Sequence, residues 1–139
     1  TVFAGEGAVQ EWSVEGEFDA VYQQVYKALE DHRFFVVFEP DIQRNLAGFA
    51  ERWGEDYNRN QLTGIRSMVF CNGWYANQVS NLDPEMLGFC PLHLTLTEHA
   101  GKTTVLFNRP TAIAKGSPAF ELFTELENEV IQAIEDGLR

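Results

Sequence analysis

Cysteine is scarce in this chain: Cys71 and Cys90 are the only two among 139 residues. That excludes a miniature fold built on disulfides. The two do not form the C-x-x-C of a redox motif or the C-x-x-C-H of covalent c-type haem. Basic residues are also few, ten Lys and Arg against 21 Asp and Glu, which leaves a formal charge of −11. A surface of that sign repels phosphate backbones and anionic membranes, so no nucleic-acid partner is expected. No apolar run approaches the roughly 18 residues of a membrane helix, so no membrane insertion is expected. Glycine-rich phosphate loops, a G-x-S-x-G elbow, H-E-x-x-H and the paired spacings of zinc sites are all missing. No catalytic residue is assigned.

What is present is apolar material, 45% of the chain, enough for one globular domain over residues 1–139. Residues 8–15 alternate roughly and read as a half-buried strand. Phe18, Val21, Tyr22, Val25 and Leu29 recur at three- and four-residue intervals, one face of a helix ending near His32. Phe34 to Phe38 is β-branched and aromatic, a second strand stopped by Pro40. Asp41 caps a second helix on which Ile42, Leu46, Phe49, Ala50, Trp53 and Tyr57 keep helical spacing, loosening over residues 53–60 into a polar and aromatic loop.

The run from Gly64 to Cys71 reads as a buried central strand that delivers its end to a turn at Asn72-Gly73. A short helical piece follows over Trp74 to Val79, and Asp83-Pro84 opens a further turn. Residues 92–97 alternate cleanly, so leucines face the core while His93, Thr95 and Thr97 face away. A turn at residues 100–102 returns the chain as a paired strand over 103–108. Ser117-Pro118 caps the last helix, whose apolar face is Phe120, Phe123, Leu126, Val130, Ile134 and Leu138. Glu121, Glu125, Glu129 and Asp136 read as its solvated side.

The strand Phe34-Phe35-Val36-Val37, the acidic Glu39 and Asp41, the strand into Cys71-Asn72 with Ala76 beyond it, and Cys90-Pro91 opening a hairpin closed at Arg109-Pro110 together resemble the domain-of-unknown-function 302 family, from about Phe18 to Ala112. Members often carry Gly where this chain has Arg33 and Pro where it has Gly73. The resemblance implies an α+β fold, β-α-β(4)-α, with a curved antiparallel sheet and helices on one face, like that of the TATA-binding protein. It implies no reaction, and a fold alone carries no DNA-binding inference. A sheet of that kind has a second face to cover, by a homodimer or a small apolar ligand.

Cys71 and Cys90 stand at the end of one expected strand and the start of another. If those strands are antiparallel neighbours the sulfurs come within reach of a disulfide, and closing that loop would contribute about 3 kcal/mol. Two inert buried thiols, or a reactive thiol, are the alternatives. His32 falls where a helix C-terminus favours a cation, and His99 beside the hairpin turn reads as exposed. His93 points to the open face and is the candidate metal or haem ligand. Haem b, held without covalent attachment, needs one axial ligand and an apolar pocket, for which Phe70, Trp74, Tyr75, Phe107, Met68 and Met86 are the candidate lining. Asn72, Trp74, Tyr75 and Asn77, joined by the loop from Trp53 to Tyr57, form a candidate concave patch for a small ligand.

These residues lead to an exported, non-catalytic ligand-binding or accessory module, with haem as the ligand to test. A cysteine-based redox protein or other enzyme and a structural homodimeric interaction domain are the alternatives. The absent initiator Met fits either a cleaved export signal, with Thr1 as the mature terminus, or a trimmed sequence, and with the cysteine placement it favours the periplasm or secretion over the cytoplasm.

Overall fold

The structure, a computed structural model, describes residues 2–3 and 7–139. Thr1, read above as a mature terminus, lies outside the described residues. Six antiparallel strands form one sheet in the order β1-β2-β6-β5-β4-β3, where β1 is Val2–Phe3, β2 Val9–Glu15, β3 Phe35–Phe38, β4 Gly64–Cys71, β5 Leu92–His99 and β6 Lys102–Asn108. The helices are α1 (Phe18–Asp31), α2 (Ile42–Ala47), α3 (Ala50–Trp53), α4 (Gly73–Leu82) and α5 (Phe120–Gly137). From β2 onward this is the expected β-α-β(4)-α order with short helices added between strands. Among the described residues no helix is long and apolar enough to cross a membrane.

Period-two alternation decides which side chains reach the core. Met68 stands opposite Leu94, which stands opposite Phe107, and Leu96 stands opposite Val105, which stands opposite Trp12. All of these are buried, and they pack against Val21, Tyr22, Val25 and Leu29 of α1 and Leu126, Val130, Ala133 and Ile134 of α5. α1 and α5 therefore cover one face of the sheet together. They meet closely at Gly137, where a Cβ would come within 2.9 Å of the Gln24 carbonyl oxygen. A smaller core of Val79, Ala114, Ala119 and Phe123, joined by Met86, Leu87 and Phe89, seats α4 and the 3-10 turn Pro84–Phe89 beside α5.

Three local expectations are corrected. The single helix expected from Asp41, loosening over residues 53–60, ends at Ala47. Gly48 and Phe49 separate it from α3, whose end at Gly54 has φ +55°, and the Phe49 and Trp53 rings stack on each other at 4.7 Å. Helical spacing persisted there because the two rings pair locally. The last helix begins at Phe120: the Ser117 hydroxyl accepts from the Ala119 N–H and donates to Asp83, so it holds the turn before the helix. Glu129 and Asp136 are not a plain solvated side, since they flank His32 at 3.1 and 2.9 Å from its Nδ1 and Nε2.

Candidate functional site

The sheet face away from α1 and α5 is built from the alternate positions of each strand. Phe38 stands opposite Val69 and Val69 opposite His93; Ser67, Thr95, Leu106 and Glu11 form the next row, and Ile65, Thr97, Thr104 and Ser13 the one after. Phe35 and Phe38 are 53% and 62% exposed. The hydroxyls on this face pair across strands, Ser67 with Thr95 at 2.7 Å and Ser13 with Thr104 at 2.9 Å. Paired hydroxyls lose less on leaving water than free ones. At the alternate positions facing this way on β3, β4, β5 and β6 there is no carboxylate, although the chain carries 21 Asp and Glu. Glu11 and Glu15 on β2 mark its acidic margin.

The β3 edge of the sheet is blocked at Val36. The Val36 N–H on edge strand β3 donates to the Glu30 carboxylate at 3.2 Å, which occupies a hydrogen-bonding position that another strand would use. The apolar side chains of β3 are therefore available across the face rather than along the edge.

The residues proposed for a haem pocket are not brought together. His93 is exposed on the outer face. Met68, Phe70 and Phe107 are fully buried on the inner face, with the sheet between them and the imidazole. Met86 belongs to the smaller core beside α5. His99 lies at the far end of β5 from Cys90, exposed, with Nδ1 3.2 Å from the Gln61 carbonyl oxygen. Among the described residues no three His, Cys, Asp or Glu side chains lie together where they could hold a metal ion, so His93 has no such partners in His99, Cys71 and Cys90.

The small-ligand patch is divided as well. Asn72 caps α4, its side-chain oxygen accepting from the Tyr75 N–H at 3.0 Å while its amide donates to the Arg33 carbonyl. Tyr75 stacks on the buried Phe34 ring at 6.0 Å and 2°, and Trp74 is 67% exposed. Asn77 is exposed on α4. Tyr57 sits at the other end of β4, where its hydroxyl accepts from Gln43 and it shares a cavity with Thr63. The eight residues of β4 separate the two groups; sequence distance was short only because the strand between them is extended.

Two further polar cavities are formed by the described residues. One, about 450 Å3, lies at the start of α1 and β4, lined by Asp19, Asp41, Arg44 and Arg66 among others. Arg66 lies 4.8 Å from the Tyr22 ring centre and 3.4 Å from Asp19, and Tyr22 donates to Glu39 at 2.7 Å. Burial, and then that bond to Glu39, raise the Tyr22 pKa far above its ordinary value. The other cavity, about 320 Å3, is bounded by His32, Arg33, Asn72, Tyr75 and Glu129. Arg33 has φ +66°, the left-handed conformation that glycine adopts most easily, so the backbone here suits the Gly that the family resemblance implies. Gly73 is the first residue of α4, a position that Pro fits as well.

The two cysteines are brought together. Both are free and half-buried, and both line a gap of about 10 Å3 with Tyr75, Leu92 and Leu126. Burial raises the Cys90 pKa, and the neighbouring Cys71 raises it further. The Cys90–Pro91 peptide is cis.

Fold and surfaces thus define an α+β domain with one covered and one open sheet face. The chain belongs to the family described as Domain of unknown function DUF302, whose model matches residues 10–137. It is similar in fold to the crystal structure of an uncharacterized conserved DUF302 protein from Bacillus stearothermophilus, with a TM-score of 0.79 and 18% identity over 95% of this chain and 98% of that one. No curated protein matches.

Sequence reading missed Phe35, Phe38, Ile65, Val69 and Leu106 as a surface. The run from Gly64 to Cys71 reads as buried throughout and the other two strands are given no outward face; only strand parity, carried across the sheet through the registers, separates these residues from Met68 and Phe70.

Proposed function

We propose that this chain is a non-catalytic interaction module that works as a homodimer, two copies burying their outer sheet faces against each other. The observation that carries the reading is the absence of carboxylates at the outward positions of β3 to β6 in a chain of charge −11. Two such chains repel through almost any other pair of surfaces. Apolar Phe35, Phe38, Val69 and Leu106 supply the driving force, and the hydroxyl pairs lower the desolvation cost. Strands β2 to β6, 4 to 8 residues long, present about 550 Å2 per copy and roughly 1,100 Å2 over two, near the ~1,000 Å2 of a stable interface, with β2 and its Glu11 and Glu15 forming the rim of that area.

The test is a charge placed at the centre of that face. Val69→Glu is expected to give a monomer in sedimentation velocity, while Trp74→Glu on exposed α4 leaves the dimer intact. A Val69→Glu protein that folds and keeps the unmodified protein's mass would overturn the reading, and so would a monomeric unmodified protein with an apolar ligand seated on the face.

Export is proposed with it, supported by the placement of both cysteines at one end of the sheet, where an oxidising compartment could join them. Cell fractionation that recovers the full-length gene product with cytosolic markers would contradict that compartment.

A further inference from the structure

Nothing in the homodimer reading uses the two cysteines, yet the fold gathers both at one end of the sheet. The β4–β5 ladder ends with Phe70 opposite Leu92. Cys71 is one residue beyond that pair on one strand, and Cys90 two residues before it on the other. Facing residues in an antiparallel ladder have Cα atoms about 4.5–5.5 Å apart. Cys90 lies before the first residue of β5, so the alternation of the ladder does not set the direction of its side chain, and both cysteines line one gap. The shared gap of about 10 Å3 is at the lower limit for holding a water, so joining the sulfurs displaces nothing. Between the two cysteines lie α4 and the 3-10 turn Pro84–Phe89, anchored by the Asn72 cap and the Tyr75–Phe34 stack at one side and the smaller core at the other.

We propose that Cys71 and Cys90 are a reversible dithiol–disulfide site, oxidised by small disulfides of the glutathione class, and that its closure ties α4 and the following 3-10 turn to the end of the sheet. The step is thiol–disulfide exchange. The thiolate of Cys71 attacks one sulfur of the small disulfide, forming a mixed disulfide and expelling one thiolate, which takes up the proton that Cys71 lost. Cys90 then loses its proton and attacks the Cys71 sulfur, forming the Cys71–Cys90 bond and releasing the second small thiol. The two protein thiols are oxidised and the small disulfide is reduced to two thiols. Burial and its neighbour keep Cys90 protonated to higher pH than an ordinary thiol, which suits it to the second, resolving step rather than the first.

The experiment treats the whole reduced protein with glutathione disulfide and follows free thiols, intact mass and disulfide-linked peptides. The expected result is loss of both thiols, a mass about 2 Da lower with no retained glutathione, one peptide joining Cys71 to Cys90 within a chain, and full reversal by dithiothreitol. The oxidised form should melt at a higher temperature than the reduced form. Cys90→Ser should trap glutathione on Cys71. A separate glutathione on each cysteine of the unmodified protein, a disulfide joining two chains, or two thiols that stay unreacted would each overturn the proposal. Because the unmodified protein supplies the decisive readings, a variant that fails to fold leaves the test intact.

Discussion

Val69 and His93 face each other across the β4–β5 ladder on the outer side of the sheet, while the next pairs, Met68 with Leu94 and Phe70 with Leu92, point into the core. Side chains one residue apart on a strand cannot share a face. An iron held by His93 would therefore lie on the opposite side of the sheet from Phe70 and Phe107, two of the aromatic residues meant to enclose it. The visible spectrum of the protein with added haem is expected to be the same for His93→Ala as for the unmodified chain. A Soret band that shifts in His93→Ala alone would place a haem on the outer face and contradict this arrangement.

Asn72 holds the passage from β4 into α4 by two bonds, accepting from the Tyr75 N–H and donating to the Arg33 carbonyl. Replacing an N-cap of this kind by alanine costs about 1 kcal/mol, within a range of roughly 0.5–2. Asn72→Ala should lose that much in urea unfolding. Asn72→Asp should recover most of it, because a carboxylate still accepts from the Tyr75 N–H. Equal losses in both variants would assign the larger share to the Arg33 contact.

His32 joins the end of α1 to α5 through Glu129 and Asp136. The bond to Glu129 raises its pKa most, burial opposes this, and Asp136 adds to it, so the folded value lies above the ordinary 6.5. A raised pKa means that the folded state holds the proton more tightly than the unfolded one. The stabilisation is fully present below about pH 6.5 and is lost as pH rises through the folded value. Asp136 behaves oppositely: its bond to His32 lowers its pKa below 3.8, so its share disappears as pH falls through that depressed value. The melting-temperature advantage over His32→Gln should be largest between these limits and shrink towards alkaline pH. An advantage independent of pH would show that packing alone accounts for His32.

Glu127 is a buried carboxylate on α5, accepting from the Thr111 N–H at 3.0 Å, the Thr111 hydroxyl at 2.7 Å and Arg109 Nε at 3.3 Å. Removing one partner of a buried ion pair costs about 3–5 kcal/mol. Glu127→Ala should destabilise the fold by that order in urea unfolding, well beyond Glu125→Ala on the exposed side of the same helix. Comparable small losses for both would mean that the Arg109–Glu127 pair contributes little.

The strands and two long helices were legible because their signals are local. Alternation over residues 92–97 and the three- and four-residue spacing of Phe18 to Leu29 each describe one element facing one core. Glu127 was not legible, since it sits one position after the core residue Leu126 and nothing nearby in sequence names Arg109 or Thr111 as its partners. The outer face was half legible: parity placed His93 there, but Val69 and Leu106 lie in apolar runs whose members look alike until register is known. Cys71 and Cys90 were readable as a pair because both flank strands that proved to be neighbours. The patch joining Trp74 to Tyr57 failed because an extended strand carries its two ends far apart.

The central claim is that two chains meet through the sheet face that carries no carboxylate on β3 to β6. Sedimentation equilibrium of the unmodified protein, across a range of concentrations and at physiological salt, tests it most directly. The account predicts a mass of about twice the 15.8 kDa of one chain, with dissociation only on dilution. A single species of 15.8 kDa at every concentration would contradict it.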